Sequence, residues 1–366
     1  MKKISASAMC FTFTGCFLGA GYVSGQELYQ FFGAFGAAGI VGLFIAVALL
    51  GVFNVMLVRI VKSTGDTRID RAVVGSENKT LLFLVGTAEM FIFFGTYVVM
   101  AAGAGALTEM LTGFNGAHIA GSFVFCLIIS FIAVRGIPGL VRIFSGVVPF
   151  LIVMTLIIGV VTVFFNAGNG FDFKAAEYKN PLIPNFAAGA LTFASYNLFC
   201  SIGVLCPVGA RADSFSKAVK GTVYGCVMLI FVAFSVLFSM SVLPQSTSHS
   251  LPMLYVAETL SPIIKYVYAL LLLLAMSGAS LASLIPTVTY FCEKSKFAEK
   301  HGAPVIFSLS GVAFLLSCFG FADLVGTVFS VFGYVSLVAM IGIIRHFATL
   351  KKTNSVQISV NDKTLH

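Results

Sequence analysis

Charge is what this sequence has least of. Asp, Glu, Lys and Arg make up only 10% of its 366 residues, against about a quarter in an ordinary soluble domain. With 58% of residues hydrophobic, a water-soluble fold of this length would lack the polar surface to cover its apolar side chains. The signatures of several function classes are also missing. No Cys-x-x-Cys pair occurs among the eight cysteines and no His-Glu-x-x-His pattern among the five histidines, so no metal site is expected. There is no Gly-x-Ser-x-Gly elbow and no P-loop, which speaks against an intramembrane hydrolase and against direct ATP drive. Asp66, Asp70, Asp172, Asp213, Asp323 and Asp362 all fall in loops or near the ends of apolar runs, so no paired aspartates are expected within the membrane, and the chain is not read as an enzyme.

What is present is a series of long apolar runs, such as Ile40 to Val58 and Phe150 to Phe165. In lipid every backbone N–H and C=O must be satisfied internally, which leaves helices or a closed barrel. Barrel strands alternate apolar and polar residues over about ten positions, and these runs do not. A helix needs about 20 apolar residues to cross a bilayer. The pattern predicts ten spans, over 6–33, 36–60, 81–109, 118–134, 139–166, 186–207, 215–243, 258–291, 303–319 and 322–348. Lys2 and Lys3 ahead of an apolar run resemble a signal peptide, and Phe13-Thr14-Gly15-Cys16 resembles a lipoprotein cleavage site. Cleavage there would remove half of the first span, so the segment is read as that span. The polar end from about Thr353 to His366 is expected to be a short irregular tail.

The basic residues orient the chain. With the N-terminus inside, only Lys174, Lys179 and Lys265 of the 22 Lys and Arg residues fall outside. Lys and Arg concentrate in cytoplasmic loops, and a wrong span would scramble this bias, so it supports ten spans as well as their direction. The net charge of +8 then faces the anionic inner leaflet and needs no nucleic acid partner. Ten spans divide into five and five, and an odd number per half inserts the second half upside down. The expected organisation is a first five-helix repeat over 1–166, an extracellular linker over 167–184, a second, inverted repeat over 185–349 and a cytoplasmic tail over 350–366. Inverted repeats of this kind place a site at the bilayer midplane.

Two runs, opening the two halves, stand out as candidate helix breaks. Span 1 carries Gly19-Ala20-Gly21-Tyr22-Val23-Ser24-Gly25-Gln26-Glu27, with three glycines that each cost a helix about 1 kcal/mol relative to alanine. Span 6 carries Ser195-Tyr196-Asn197-Leu198-Phe199-Cys200-Ser201-Ile202-Gly203, with Pro207 a turn further on. A broken helix offers a partly negative carbonyl end to a cation and a partly positive N–H end to a carboxylate. The competing reading is that the glycines serve close helix packing.

The Gly19 to Glu27 run and Ser195-Tyr196-Asn197-Leu198 resemble the YkvI-like bacterial membrane proteins, grouped with amino-acid permeases of the amino acid–polyamine–organocation superfamily. The resemblance covers about residues 5–348 and implies an all-α, ten-helix LeuT-type fold with spans 1 and 6 broken. It further implies alternating access, with spans 1, 2, 6 and 7 rocking against spans 3, 4, 8 and 9 around the site. The function expected is secondary active uptake of an amino acid or similar small zwitterion across the cell membrane. Coupling would be to Na+ or H+, with no other cofactor; a substrate sensor or a channel on the same fold is the alternative. Substrate contacts are expected from Gly19, Ala20, Gly21, Ser24, Gly25, Tyr97, Ser195, Tyr196, Asn197 and Ser201, with Tyr97 included because a span-3 tyrosine often touches substrate in this fold. Glu27 and Glu89 are expected to act in ion coupling or gating, since a carboxylate inside the bilayer costs at least ~2.5 kcal/mol and is rarely idle. Ser277, Ser280, Ser283 and Thr287 share one stripe of span 8. In sodium-coupled relatives hydroxyls there complete a sodium site, which puts Ser277 and Ser280 in the coupling set. The relatives' hydroxyls are adjacent and these are not, which weakens the sodium assignment. The basic residue that replaces sodium in some proton-coupled relatives has one candidate on span 5, Arg142, which is read as a topology anchor.

Overall fold

The computed structural model of the chain describes residues 4–136, 140–174, 176 and 180–363. The side chains of residues 140–145, 169, 297 and 351–363 fall outside that description, Arg142 among them, as do Lys2, Lys3 and Lys179.

Among the described residues, eight helices are long and apolar enough to cross a membrane. They are spans 2 (Ala37–Thr64), 3 (Lys79–Thr112), 4 (Ala117–Arg135), 5 (Leu140–Asn166), 6 (Phe186–Ala210), 7 (Phe215–Val242), 8 (Pro262–Lys294) and 10 (Phe321–Lys363). Two shorter units complete the ten: span 9, Gly302–Ser317, and span 1, built from Ala6–Phe17, Ala20–Val23 and Gln26–Phe31. Polar caps set many of the ends. The side chains of Asn78, Asn185, Ser214 and Ser261 accept backbone N–H groups in the first turns of spans 3, 6, 7 and 8, which satisfies donors that a helix start leaves open.

Three differences from the predicted spans have local causes. Span 8 begins at Pro262 rather than 258, because extended Ser261 caps it and the preceding Pro252–Leu260 forms a separate loop helix. A second loop helix, Ile69–Val74, lies between spans 2 and 3. Span 10 runs on to Lys363, so the segment expected to be irregular continues the helix.

The largest correction concerns span 6, which is an uninterrupted helix from Phe186 to Ala210. The polar residues taken as signs of a break are satisfied within the helix. Ser195 Oγ donates to Thr192 O at 2.9 Å, Asn197 Nδ2 to Phe193 O at 3.1 Å and Ser201 Oγ to Leu198 O at 2.7 Å. Back-bonding of this kind keeps a polar residue inside a helix. Pro207 removes one backbone donor without ending the helix. The span does not present this face to lipid: Ser195, Tyr196, Asn197 and Ser201 are all buried.

Packing puts spans 1 and 6 at the centre. Span 6 lies against spans 2 and 10, the first piece of span 1 against spans 7 and 6, and span 3 against spans 4 and 8. Small residues allow the close approaches, as is usual where lipid gives helices no hydrophobic reason to associate. A Cβ on Gly189 would stand 2.5 Å from Phe31 O, and one on Gly333 would stand 2.5 Å from Thr192 Cβ. Ser195 Oγ also donates to Gly333 O at 2.6 Å, which ties span 10 to span 6. The outer surface carries exposed Phe123, Ile128, Val153, Phe164, Leu270 and Val338, the apolar perimeter of a multi-pass membrane protein. Ile4 N–H donates to Arg211 O at 3.0 Å and Lys62 Nζ to Ala212 O at 2.8 Å. The N-terminus, the end of span 2 and the turn after span 6 therefore share one face. Replacing Gly333 by Val should force spans 6 and 10 apart and cost about 1–3 kcal/mol, the usual range for overpacking; a lower melting temperature in detergent would show it, and an unchanged one would contradict this packing.

Candidate substrate site at the interrupted first span

The first piece of span 1 stops at Phe17. Leu18 N–H still reaches Thr14 O at 3.0 Å, but Gly19 N–H turns to Phe17 O at 2.9 Å, and Gly19 is extended at φ −76, ψ 174. Among the described residues no donor reaches the carbonyls of Gly15, Cys16 or Leu18. One helical turn follows over Ala20–Val23, closed by Ser24 Oγ donating to Gly21 O at 2.9 Å. Gly25 then breaks the chain a second time at φ +88, a conformation that suits glycine. A Cβ there would also meet Val236, Met240 and Met253 at 3.3 Å. Gln26–Phe31 resumes the helix.

Glu27, in the first turn of that last piece, folds back across the break. A Cβ on Gly21 would lie 2.7 Å from Glu27 Oε2, so a side chain at 21 would displace the carboxylate. Glu27 Oε1 accepts from the Tyr196 hydroxyl and from Asn197 Nδ2, the latter at 3.3 Å. The carboxylate is only 5% exposed and has no basic partner among the described residues. Tyr196 is held in an aromatic cluster, stacked on Phe329 of span 10 with centroids 5.0 Å apart and packed against Phe31 and Phe193.

Three further anchors were not legible in the sequence. The Tyr22 hydroxyl donates to Leu229 O of span 7 at 2.9 Å, and the Tyr268 hydroxyl of span 8 donates to Val23 O at 2.7 Å. Met253 N–H, from the loop helix Pro252–Leu260, donates to Ser24 O at 2.9 Å. Tyr268 sits in an apolar stretch that gives no sign of a break-facing hydroxyl, and Tyr22, although inside the run read as the break, is not among its expected contacts. The loop helix therefore lies over the break from the side of the 244–257 segment. On the opposite side, the face of Ala6–Phe17 bearing Phe11 and Gly15 is exposed up to Gly19, and a Cβ at either glycine would meet open space. The loop helix covers the break on one side of the protein, and the face of the first piece that leads up to it on the other is exposed.

The remaining candidates are placed as follows. Ala20, Gly21, Ser24, Gly25, Tyr196 and Asn197 gather at the break with Glu27. Ser195 points instead to span 10 and Ser201 bonds its own helix. The Tyr97 hydroxyl lies at Ser310 of span 9, 3.0 Å away, and shares no described bond with span 1, so the structure does not place it as a substrate contact. Glu89 is half-buried, without a hydrogen-bond partner among the described residues, and lies within electrostatic range of Asp70 and of Cys200. Cys200 is also within electrostatic range of Glu27. On span 8, Ser277 Oγ donates to Leu273 O at 2.8 Å, whereas Ser280 Oγ is buried without a hydrogen-bond partner among the described residues.

This architecture, ten spans around an interrupted first one, is the LeuT-type fold. The solved structure of MhsT in complex with L-phenylalanine aligns over 95% of this chain and 89% of its own, with a TM-score of 0.63 at 16% identity. Mhp1, a nucleobase-cation-symport-1 family transporter, aligns in its inward-facing conformation over 93% of this chain and 76% of its own, with a TM-score of 0.62 at 16% identity. In sequence the chain is similar to the uncharacterized membrane protein YkvI of Bacillus subtilis (strain 168), 27% identical over 343 residues, 93% of this chain and 95% of YkvI. The resemblance carried by the Gly19 to Glu27 run thus extends over nearly the whole length. No family model matches the chain.

Removing the Tyr196 hydroxyl takes away a hydrogen bond to Glu27, and bonds to charged groups contribute about 1.5–3 kcal/mol. Tyr196→Phe should therefore destabilise the protein more than Tyr22→Phe, whose hydroxyl meets a neutral carbonyl; equal melting shifts for the two would argue against an ionised Glu27.

Proposed function

We propose that the protein is a secondary active transporter of the cell membrane, with both termini cytoplasmic, that takes up an amino acid or related small zwitterion by alternating access. The observation that carries this is the buried Glu27 carboxylate, folded into the span 1 break and held by Tyr196 and Asn197 of span 6. A carboxylate inside lipid is expensive and is retained where a cation, a proton or a substrate amine meets it. The chain has the fold of MhsT and Mhp1, and MhsT is solved with L-phenylalanine bound. The aromatic cluster of Phe31, Phe193, Tyr196 and Phe329 beside the break fits a substrate with an apolar side chain. With the N-terminus inside, the open approach along Gly15 and Gly19 faces the cytoplasm, and the loop helix over Ser24 closes the outer side. The arrangement is then an inward-facing one.

Proton coupling is favoured by the two carboxylates about Cys200. Glu27 would carry the proton at the site, and Glu89 would pass it towards the inner face. Sodium coupling has one supporting observation, the unpartnered Ser280 hydroxyl together with the free carbonyls of Gly15, Cys16 and Leu18, groups that a hard cation accepts. Purified protein in liposomes, given apolar amino acids under an imposed pH or sodium gradient, separates the cases. Proton-driven uptake abolished by Glu27→Gln, with Ser280→Ala unaffected, is expected. Uptake that follows sodium and fails in Ser280→Ala would replace the proton reading. Saturable binding without flux would identify a sensor and overturn transport.

A further inference from the structure

A second cavity lies away from the break, on the protein's perimeter. It is a groove of about 680 Å³ between the loop helix Ile69–Val74, span 3 and the Val335–Thr349 stretch of span 10, with Phe199 of span 6 at its back. Its walls join the exposed apolar belt, since Leu81, Leu84, Val338 and Ile341 line it and are exposed. A groove in that position is normally filled by lipid, and by itself would call for nothing more than an acyl chain.

One polar feature makes it more selective. Arg345 lines the groove and forms no ion pair among the described residues. The nearby acids do not neutralise it, because Asp70 pairs with Arg68 while Asp66 and Glu77 pair with Arg71. The rim between the loop helix and span 10 is built to fit. His346 Nδ1 lies 3.0 Å from Ala72 O, and a Cβ on Gly75 would stand 2.5 Å from His346 Cγ.

We infer that this groove is a binding site for an anionic glycerophospholipid of the leaflet that faces the Lys/Arg-rich side. The phosphate sits on Arg345, and an acyl chain runs along Ala88, Leu84 and Val338. Arginine suits a phosphate because its planar fork of donors matches phosphate geometry. The site touches span 3 and span 6 at once, through Ala88 and Phe199, so an occupied groove braces two elements that alternating access would move against each other. Binding itself does not depend on transport.

The test is a lipid titration of the purified full chain in detergent, read by native mass spectrometry. Phosphatidylglycerol is compared with phosphatidylcholine of the same acyl chains. Phosphatidylglycerol should bind in preference. Arg345→Gln should weaken it about fivefold, as expected for one basic contact with an anionic lipid, while Arg135→Gln, an exposed arginine at the end of span 4, leaves it unchanged. Ala88→Phe should reduce binding of both lipids by filling the groove. Should that variant fail to fold, the Arg345 comparison decides alone. Equal affinity for the two lipids, wild-type affinity in Arg345→Gln, or full displacement by inorganic phosphate would overturn the site.

Discussion

Everything in this protein answers to one constraint: a backbone polar group inside lipid must find a partner. Among the described residues, spans 2 to 10 meet it by running as helices, and the first does not. Its two interruptions, after Phe17 and at Gly25, expose backbone that the rest of the molecule is arranged to satisfy. Span 8 sends the Tyr268 hydroxyl to Val23 O, the outer loop helix sends Met253 N–H to Ser24 O, and Ser24 closes on Gly21 O. These bonds all lie on the Gly25 side of the break. The carbonyls left over, those of Gly15, Cys16 and Leu18, lie on the other side, where the open face of the first piece leads. The asymmetry of the bonding follows the asymmetry of exposure along the first span.

The sequence exposed the features that depend on composition and hid those that depend on side-chain direction. Apolar length set the spans, and the Lys/Arg bias set their expected direction. Glycine density marked the span 1 break, because Gly25 at φ +88 and Gly21 against Glu27 are backbone needs that only a missing Cβ meets. Span 6 was misread for the opposite reason. Serine and asparagine look like helix breakers in a list of residues, yet each can bond its own carbonyls three or four positions back, and here all three do so. Tyr97 was chosen by position along span 3, but its rotation about that helix carries the hydroxyl to Ser310. Tyr268, which bonds Val23 O beside the break, sits in a long apolar run that gave no warning, whereas Tyr22 lay in the glycine-rich run itself and was passed over for its smaller neighbours.

An unbroken span 6 changes what the proposed site can offer. In the scheme expected from the sequence, two broken helices present two sets of helix ends, and a substrate carboxylate would rest on backbone N–H groups. With one broken helix, span 6 contributes side chains instead, the Tyr196 hydroxyl and the Asn197 amide. Both are already engaged by Glu27. The protein's own carboxylate therefore occupies the donors that a substrate carboxylate would need.

That occupancy bears on how coupling would work. A zwitterion arriving at the break brings one carboxylate and one ammonium group. If Glu27 stays ionised, the two carboxylates compete for Tyr196 and Asn197, and only the ammonium is attracted. If Glu27 takes up a proton, the donors are released to the substrate carboxylate and the like-charge repulsion disappears. Protonation and substrate binding then favour each other by the same contacts, and the coupling is reciprocal, as linkage requires. Sodium at Ser280 would not relieve that competition, because it would leave Glu27 charged on the donors. The fold admits either ion, but the position of Glu27 gives the proton a task at the site itself.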